Sequence, residues 1–236
     1  DDPARWWVLA ALPVALGAFV LWERRYAASG RAPLIDLALV RIPSFRNGTL
    51  IAAAMFAAMP SVFLLTTLYL QGGLGLAAVF AGMVTIGFAL ASAAASWLSG
   101  PFVTRLGRGL VVAGILLLLA SIVGLVACAM LLPPELMAWG MAAVMTVGGI
   151  GGGVVVSPNQ TLSLADIPVS QAGLAGSIGQ LGQRVGNAIG TAVAIALFSS
   201  TIFREEGSQP PLVVFHDAYA TGMAAVAALL ILALVL

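Results

Sequence analysis

Seven stretches of the chain are apolar for long enough to cross a lipid bilayer: approximately residues 6–22, 48–70, 77–98, 110–132, 136–156, 172–203 and 215–236. A hydrocarbon core of about 30 Å needs about 20 residues of helix, and apolar runs of this length predict helices rather than strands. The aromatic residues punctuate these runs. Trp6, Trp7, Trp22, Trp97, Trp139, Tyr26, Tyr69 and Tyr219 all lie at or just beyond a predicted span end, where amphipathic rings meet the headgroups. The arginines give the orientation. Seven of them, Arg24, Arg25, Arg31, Arg41, Arg46, Arg105 and Arg108, fall on one side, and only Arg5 and Arg204 on the other. Cytoplasmic loops retain the excess of positive charge, so the N-terminus is expected outside and the C-terminus inside.

Composition agrees with the pattern. Of 236 residues, 61% are hydrophobic and 8% charged, against about a quarter charged in an average soluble domain. The expected fold is an all-α polytopic membrane protein with about seven transmembrane helices. A formal net charge of +1 gives no reason to invoke nucleic acid. Cys128 is the single cysteine and His216 the single histidine, which excludes a disulfide framework and gives no metal site, since such a site needs several ligands at suitable spacing. No cofactor is expected. Cys128 reads as a small buried hydrophobe. The first run lacks a small-residue cleavage site, which argues against a secretory signal. The chain opens on DDPARWW without an initiator Met and ends on ILALVL, and it is expected to be a piece of a longer protein. Residues 23–47, punctuated by Pro33 and Pro43, form the longest cytoplasmic connection, and LIDLALV within it is a candidate surface-lying helix. The sequons at Asn47 and Asn159 fall on the cytoplasmic side, so glycosylation is a poor reading of either.

One apolar run contains a permanent cation. In SIGQLGQRVGNAIGTAVAIALF, residues 177–198, successive residues turn by about 100° around a helix. Ser177, Gln180, Arg184, Asn187 and Thr191 then gather in one polar stripe. Gly179, Gly182, Gly186 and Gly190 take the adjoining sector, where overlapping GxxxG steps allow another helix close. Leu174, Ile178, Leu181, Val185 and Ile189 cover the rest. Arg184 lies about 18 Å along the helix from Ala172 at about 1.5 Å per residue. At span centre it costs at least about 2.5 to 3.5 kcal/mol, so it must face protein, water or a ligand. Two readings stand: it ties helices together through neighbouring oxygens, or it lines a polar cavity on a substrate path. None of the nine carboxylates lies in a span centre. A proton-moving protein would therefore take its titrating acid from sequence outside this chain, because Arg stays charged.

Two further stretches carry packing signals. Met59-Pro60-Ser61 sits mid-span, a hinge or a static kink. The run VGGIGGGVVVSP, residues 147–158, lacks GxGxxG spacing and a preceding strand, so close helix packing explains it better than a nucleotide loop.

The stretch SGPFVTRLGRGL, residues 99–110, resembles the motif repeated between the second and third helices of each half of the major facilitator superfamily, approximately G-x-x-x-D-R-x-G-R-R. Gly100, Arg105, Gly107 and Arg108 match it. Thr104 stands where the family often has Asp, and Gly109 replaces the last basic residue. Together with PLIDLALVRIPSFRNG, LYLQ and SPNQTLSLADIPVSQAGLAGSIGQLGQRVGNAIGTA, the chain resembles the C-terminal half of the fourteen-span drug:proton antiporters of that superfamily. The resemblance implies that residues 1–46 hold a linker helix and a cytoplasmic connection, and residues 47–236 a six-helix bundle. It implies export of amphipathic or cationic small molecules in exchange for protons, by rocking against an N-terminal half that supplies the coupling acids. Gln180, Arg184, Asn187 and Thr191 would line the substrate path. Gly100, Arg105, Gly107 and Arg108 would shape the conformational-switch loop, and Gly182, Gly186 and Gly190 would pack helices. A membrane enzyme is a poor rival, since the chain supplies no nucleophile, metal cluster or centred acid/base pair. A non-transporting scaffold, or a half-transporter working with a partner, is the remaining alternative.

Overall fold

The computed structural model describes residues 39–205 and 207–236, preceded by residues 11, 13–15, 17–22, 25, 26 and 29. The start of the first apolar stretch with Arg5, Trp6 and Trp7, together with Arg24, Arg31, Asp36 and most of LIDLALV, lies outside the described residues. The described residues between Pro13 and Trp22 are helical.

Six helices follow, each long and apolar enough to cross a membrane: α1 Pro43–Gly73, α2 Ala78–Phe102, α3 Arg108–Leu131, α4 Pro134–Leu164, α5 Val169–Glu205 and α6 Pro211–Val235. Proline opens α1, α4 and α6, the position where its fixed φ suits a helix and its missing N–H costs nothing. The last turn of α1, Tyr69–Gly73, widens to a π-helix. A turn at Val84–Thr85 interrupts α2, and there the Thr85 backbone N–H and hydroxyl both donate to the Gly82 carbonyl. Pro60 lies inside α1 and Pro158 inside α4. Near these prolines the Ser61 hydroxyl donates to the Ala57 carbonyl at 2.7 Å, and that of Thr161 to the Ser157 carbonyl at 3.1 Å.

The helices pack in a repeating scheme. The main pairs are α1 with α5, α2 with α4 and α3 with α4, joined by α5–α6, α1–α6, α1–α4 and α3–α6. Exchanging α1, α2 and α3 for α4, α5 and α6 maps α1–α5 onto α4–α2 and α3–α4 onto α6–α1. In these pairings the bundle follows two three-helix repeats, although α5–α6 has no counterpart of similar extent between α2 and α3. Glycine makes the matching seams. A Cβ added at Gly186 or Gly190 of α5 would fall on the backbone of Ala53 or Ala57 in α1, and one at Gly149 or Gly153 of α4 on that of Phe88 or Ser92 in α2. The 147–158 run is therefore a packing surface.

The core lies between α1, α3, α4 and α6, around Leu65, Leu125, Met141, Met145, Met223 and Val226. Tyr69 and Tyr219 belong to it. Both are fully buried, with rings 4.7 Å apart; the Tyr69 hydroxyl donates to Met137 Sδ at 3.3 Å, and the Tyr219 hydroxyl lies 2.9 Å from Thr66 Oγ1. The sequence expectation that these two join the headgroup belt is corrected: polar partners inside the bundle satisfy their hydroxyls, so they turn inward at the span ends. Trp22, Trp97 and Trp139 are exposed. Among the six spans, α2 and α5 bury the smallest share of their residues.

Candidate functional site

Helix α5 shows each of its three sectors to a different environment. Gly186 and Gly190 press on α1, and Gly182 approaches Thr49 of the same helix, whereas Gly179 has open space beside it. Leu181, Val185 and Ile189 are exposed on the apolar side. On the polar side Ser177, Gln180, Arg184 and Asn187 are exposed and Thr191 is half-buried.

The stripe satisfies little of its own hydrogen-bonding capacity. Thr191 donates to Asn187 Oδ1 at 3.1 Å, and Ser177 to the Gly173 carbonyl at 3.1 Å. Arg184 makes no hydrogen bond or ion pair with a described residue; the ion pair among those residues is Arg204–Glu205 at 3.0 Å, at the far end of the helix. The guanidinium does not tie the described helices together. Gln180 and Arg184 share one shallow groove with Ser177 and Leu181, while Asn187 and Thr191 continue the same face further along the helix and line no cavity described here.

A second hollow adjoins that groove, a cleft of about 180 Å³ in the fork between α4 and α5, floored by α1. Asn159, Gln160 and Ser163 of α4, Gln180 and Gln183 of α5 and Thr49 of α1 supply its polar lining. Asn159 Nδ2 donates to the Gly48 carbonyl at 2.9 Å, and the Ser163 hydroxyl to the Asn159 carbonyl. The Asn159 contact ties α4 to α1 where the two helices cross, whereas that of Ser163 stays within α4. Of this lining only Gln180 belongs to the stripe predicted from the helical wheel. Gln183 sits one residue from Arg184 but points into the fork, and the span predicted at 136–156 ends before the polar SPNQT segment of α4. Polar residues on a helix that continues through a proline are the signal that identifies this wall.

The predicted switch loop is split between two surroundings. Gly100–Phe102 forms a 3-10 turn and Val103–Leu106 a short helix, and Gly107 then adopts φ +48°, a conformation that costs a side-chain-bearing residue dearly. This hinge starts α3 at Arg108. Arg108 lines a crevice of about 390 Å³ with Asn47 and Asp166 among the ends of α1, α3, α4 and α6. Arg105 is exposed, and Gly100 has open space where a Cβ would stand.

A family model described as the Major Facilitator Superfamily matches residues 4–191. The chain belongs to that superfamily. Among curated proteins it is 27% identical over 192 residues to the "Probable actinorhodin transporter" of Streptomyces coelicolor, an alignment covering 81% of this chain and 33% of that one. It is 33% identical over 194 residues to the "Lincomycin resistance protein LmrB" of Listeria monocytogenes, covering 79% of this chain and 38% of the relative. It is 30% identical over 185 residues to the "Multidrug resistance protein Stp" of Mycobacterium tuberculosis, covering 76% and 32%. The chain spans about a third of the length of these relatives. Six apolar spans and this membership make it a multi-pass protein of the cell membrane, of a family concerned with transport rather than enzymatic catalysis.

Proposed function

We propose that the chain is the C-terminal half of a proton-coupled secondary efflux transporter, which exports amphipathic or cationic drugs, or other small organic compounds, by alternating access. In this reading residues 1–46 provide a linker helix and connection, residues 47–236 the bundle, and an N-terminal half packs against the sparsely buried faces of α2 and α5. The relatives' names speak of actinorhodin transport, lincomycin resistance and multidrug resistance, which supports small organic substrates.

The observation that carries the proposal is Arg184, exposed on the polar face of a membrane-length helix with no partner among the described residues. An unpaired guanidinium in hydrocarbon is too costly to stay there; it needs a wet path walled by protein, and a second half supplies the opposite wall. Gln180, Arg184, Asn187 and Thr191 line that path in this reading. Gly107 and Arg108 set the bend at the end of α2 that lets the bundle rock, with Gly100 and Arg105 on the outer side of the turn. The lining described here holds no carboxylate, so the proton-binding acid, and the counter-charge for any cationic substrate, would come from the N-terminal half.

The test is drug-driven proton flux in liposomes containing the full-length protein. Coupled movement of protons and drug in opposite directions is expected. Flux of neither, with the protein correctly inserted, refutes the proposal.

A further inference from the structure

The cleft between α1, α4 and α5 differs in kind from the groove beside it, because no ionisable side chain lines it. Its polar groups are carboxamides and hydroxyls; Asn159 is engaged in holding α4 to α1, and Ser163 donates within α4 to the Asn159 carbonyl. Gln183 is not engaged. It is 8% exposed, makes no hydrogen bond with a described residue, and borders both the cleft and a narrow apolar recess formed by Met55, Phe56, Val155 and Val156. Its carboxamide atoms are not closed off from solvent, so water reaches them at the cleft and a ligand can take that water's place.

The dimensions and chemistry narrow the choice. The cleft offers about 180 Å³, and a cavity of about 150 Å³ already accommodates a benzene ring. A carboxamide answers a donor and an acceptor equally well. A full charge entering the cleft would lose its hydration and find no opposite charge in the wall. Arg184, in the neighbouring groove joined through Gln180, further disfavours a cation.

We infer that this cleft binds the uncharged, hydrogen-bonding group of an amphipathic compound, such as an amide, ketone or phenol carried on a ring. Gln183 contacts that group, and the apolar part of the compound lies against Ala52 and Leu164 of the cleft wall. The inference deepens the efflux reading and rests on it for the bound compound being a substrate. It also divides the labour of recognition: this half reads neutral polarity, and any preference for positive charge belongs to the other half.

Three probes sharing one naphthyl ring and bearing a carboxamide, a carboxylate or a trimethylammonium group test it on the purified full-length protein. Equilibrium binding is measured without a gradient, for the wild type, Gln183→Leu and Gln183→Glu. Gln183→Leu is expected to weaken the carboxamide probe about tenfold, the scale of one hydrogen bond made in place of one left unmet, and to leave the ammonium within about twofold. Gln183→Glu keeps the size of the side chain and shifts the preference toward the ammonium. A carboxamide Kd unchanged by Gln183→Leu, or an ammonium Kd weakened as much as the carboxamide's, overturns the inference. Transport of the same probes under a proton gradient is read separately. Movement of none of them sinks the efflux reading, while the response of each Kd to the Gln183 substitutions decides the role of the cleft.

Discussion

Helices α4 and α5 occupy different places in the two three-helix repeats, yet both pack onto a helix of the other repeat through glycines four residues apart. Gly149 and Gly153 seat α4 on α2, and Gly186 and Gly190 seat α5 on α1. Their polar residues diverge. Asn159 and Ser163 of α4 are turned inward and satisfied, Asn159 by the Gly48 carbonyl and Ser163 by that of Asn159. The stripe of α5 is mostly turned outward and left open, with Arg184 the extreme case. Asn159 and Ser163 close their part of α4 within the described residues; in the proposed reading α5 is half of an interface. Glycine seams report how a membrane bundle assembles, whereas unsatisfied polar stripes report what it assembles around.

Substitutions can break or sharpen this contrast. The largest effect is expected at the seams: Gly190→Leu drives a side chain into the Ala57 backbone and Gly153→Leu into that of Ser92. Each should cost about 3 kcal/mol or prevent assembly, seen as lost membrane yield and a lowered melting temperature in detergent. Gly179→Leu on the same helix, with open space beside it, should leave both unchanged, and equal damage there would erase the distinction between sectors. Next comes Arg184→Leu in the full-length protein. Drug export should fall more than about tenfold, equivalent to about 1.4 kcal/mol, while membrane level and melting temperature hold. Retained drug resistance would return Arg184 to a passive role. Asn159→Leu removes the donor to Gly48 and should destabilise by about 1 kcal/mol, measured by thermal unfolding. Thr191→Val loses only a hydrogen bond within its own helix turn, and a stability change within about 0.5 kcal/mol is expected.

Much of the bundle was legible in the sequence because the bilayer imposes a length and hydrophobicity that few soluble folds share. The spans at 48–70, 77–98, 110–132, 172–203 and 215–236 each fall on one helix of the structure. The glycine sector of α5 was legible for a related reason: a 100° period is enough to say which residues share a face. Two things were not. The polar SPNQT segment continues α4 to Leu164 rather than ending it, because contacts to α1 compensate Pro158 and the polar groups around it, and no local pattern announces them. Tyr69 and Tyr219 stand at span ends like belt residues, but Met137 and Thr66, distant in sequence, give their hydroxyls partners indoors. In both cases tertiary contacts decide where polarity is tolerated. Gln183 escaped the wheel for the same reason: its side of the helix becomes a wall only when α4 stands opposite it.

The account depends on the polar face of α5 meeting water in the middle of the membrane. Cys128 is the single cysteine of this chain; its replacement by alanine, together with that of any cysteine in the remainder of the full-length protein, gives a background for single cysteines at 184, 187, 185 and 189. Labelling by a membrane-impermeant maleimide, with and without a transported drug, tests the claim most directly. Positions 184 and 187 should label and be protected by drug, while 185 and 189 stay unlabelled in lipid. Equal labelling at all four positions, or none at 184, would contradict it.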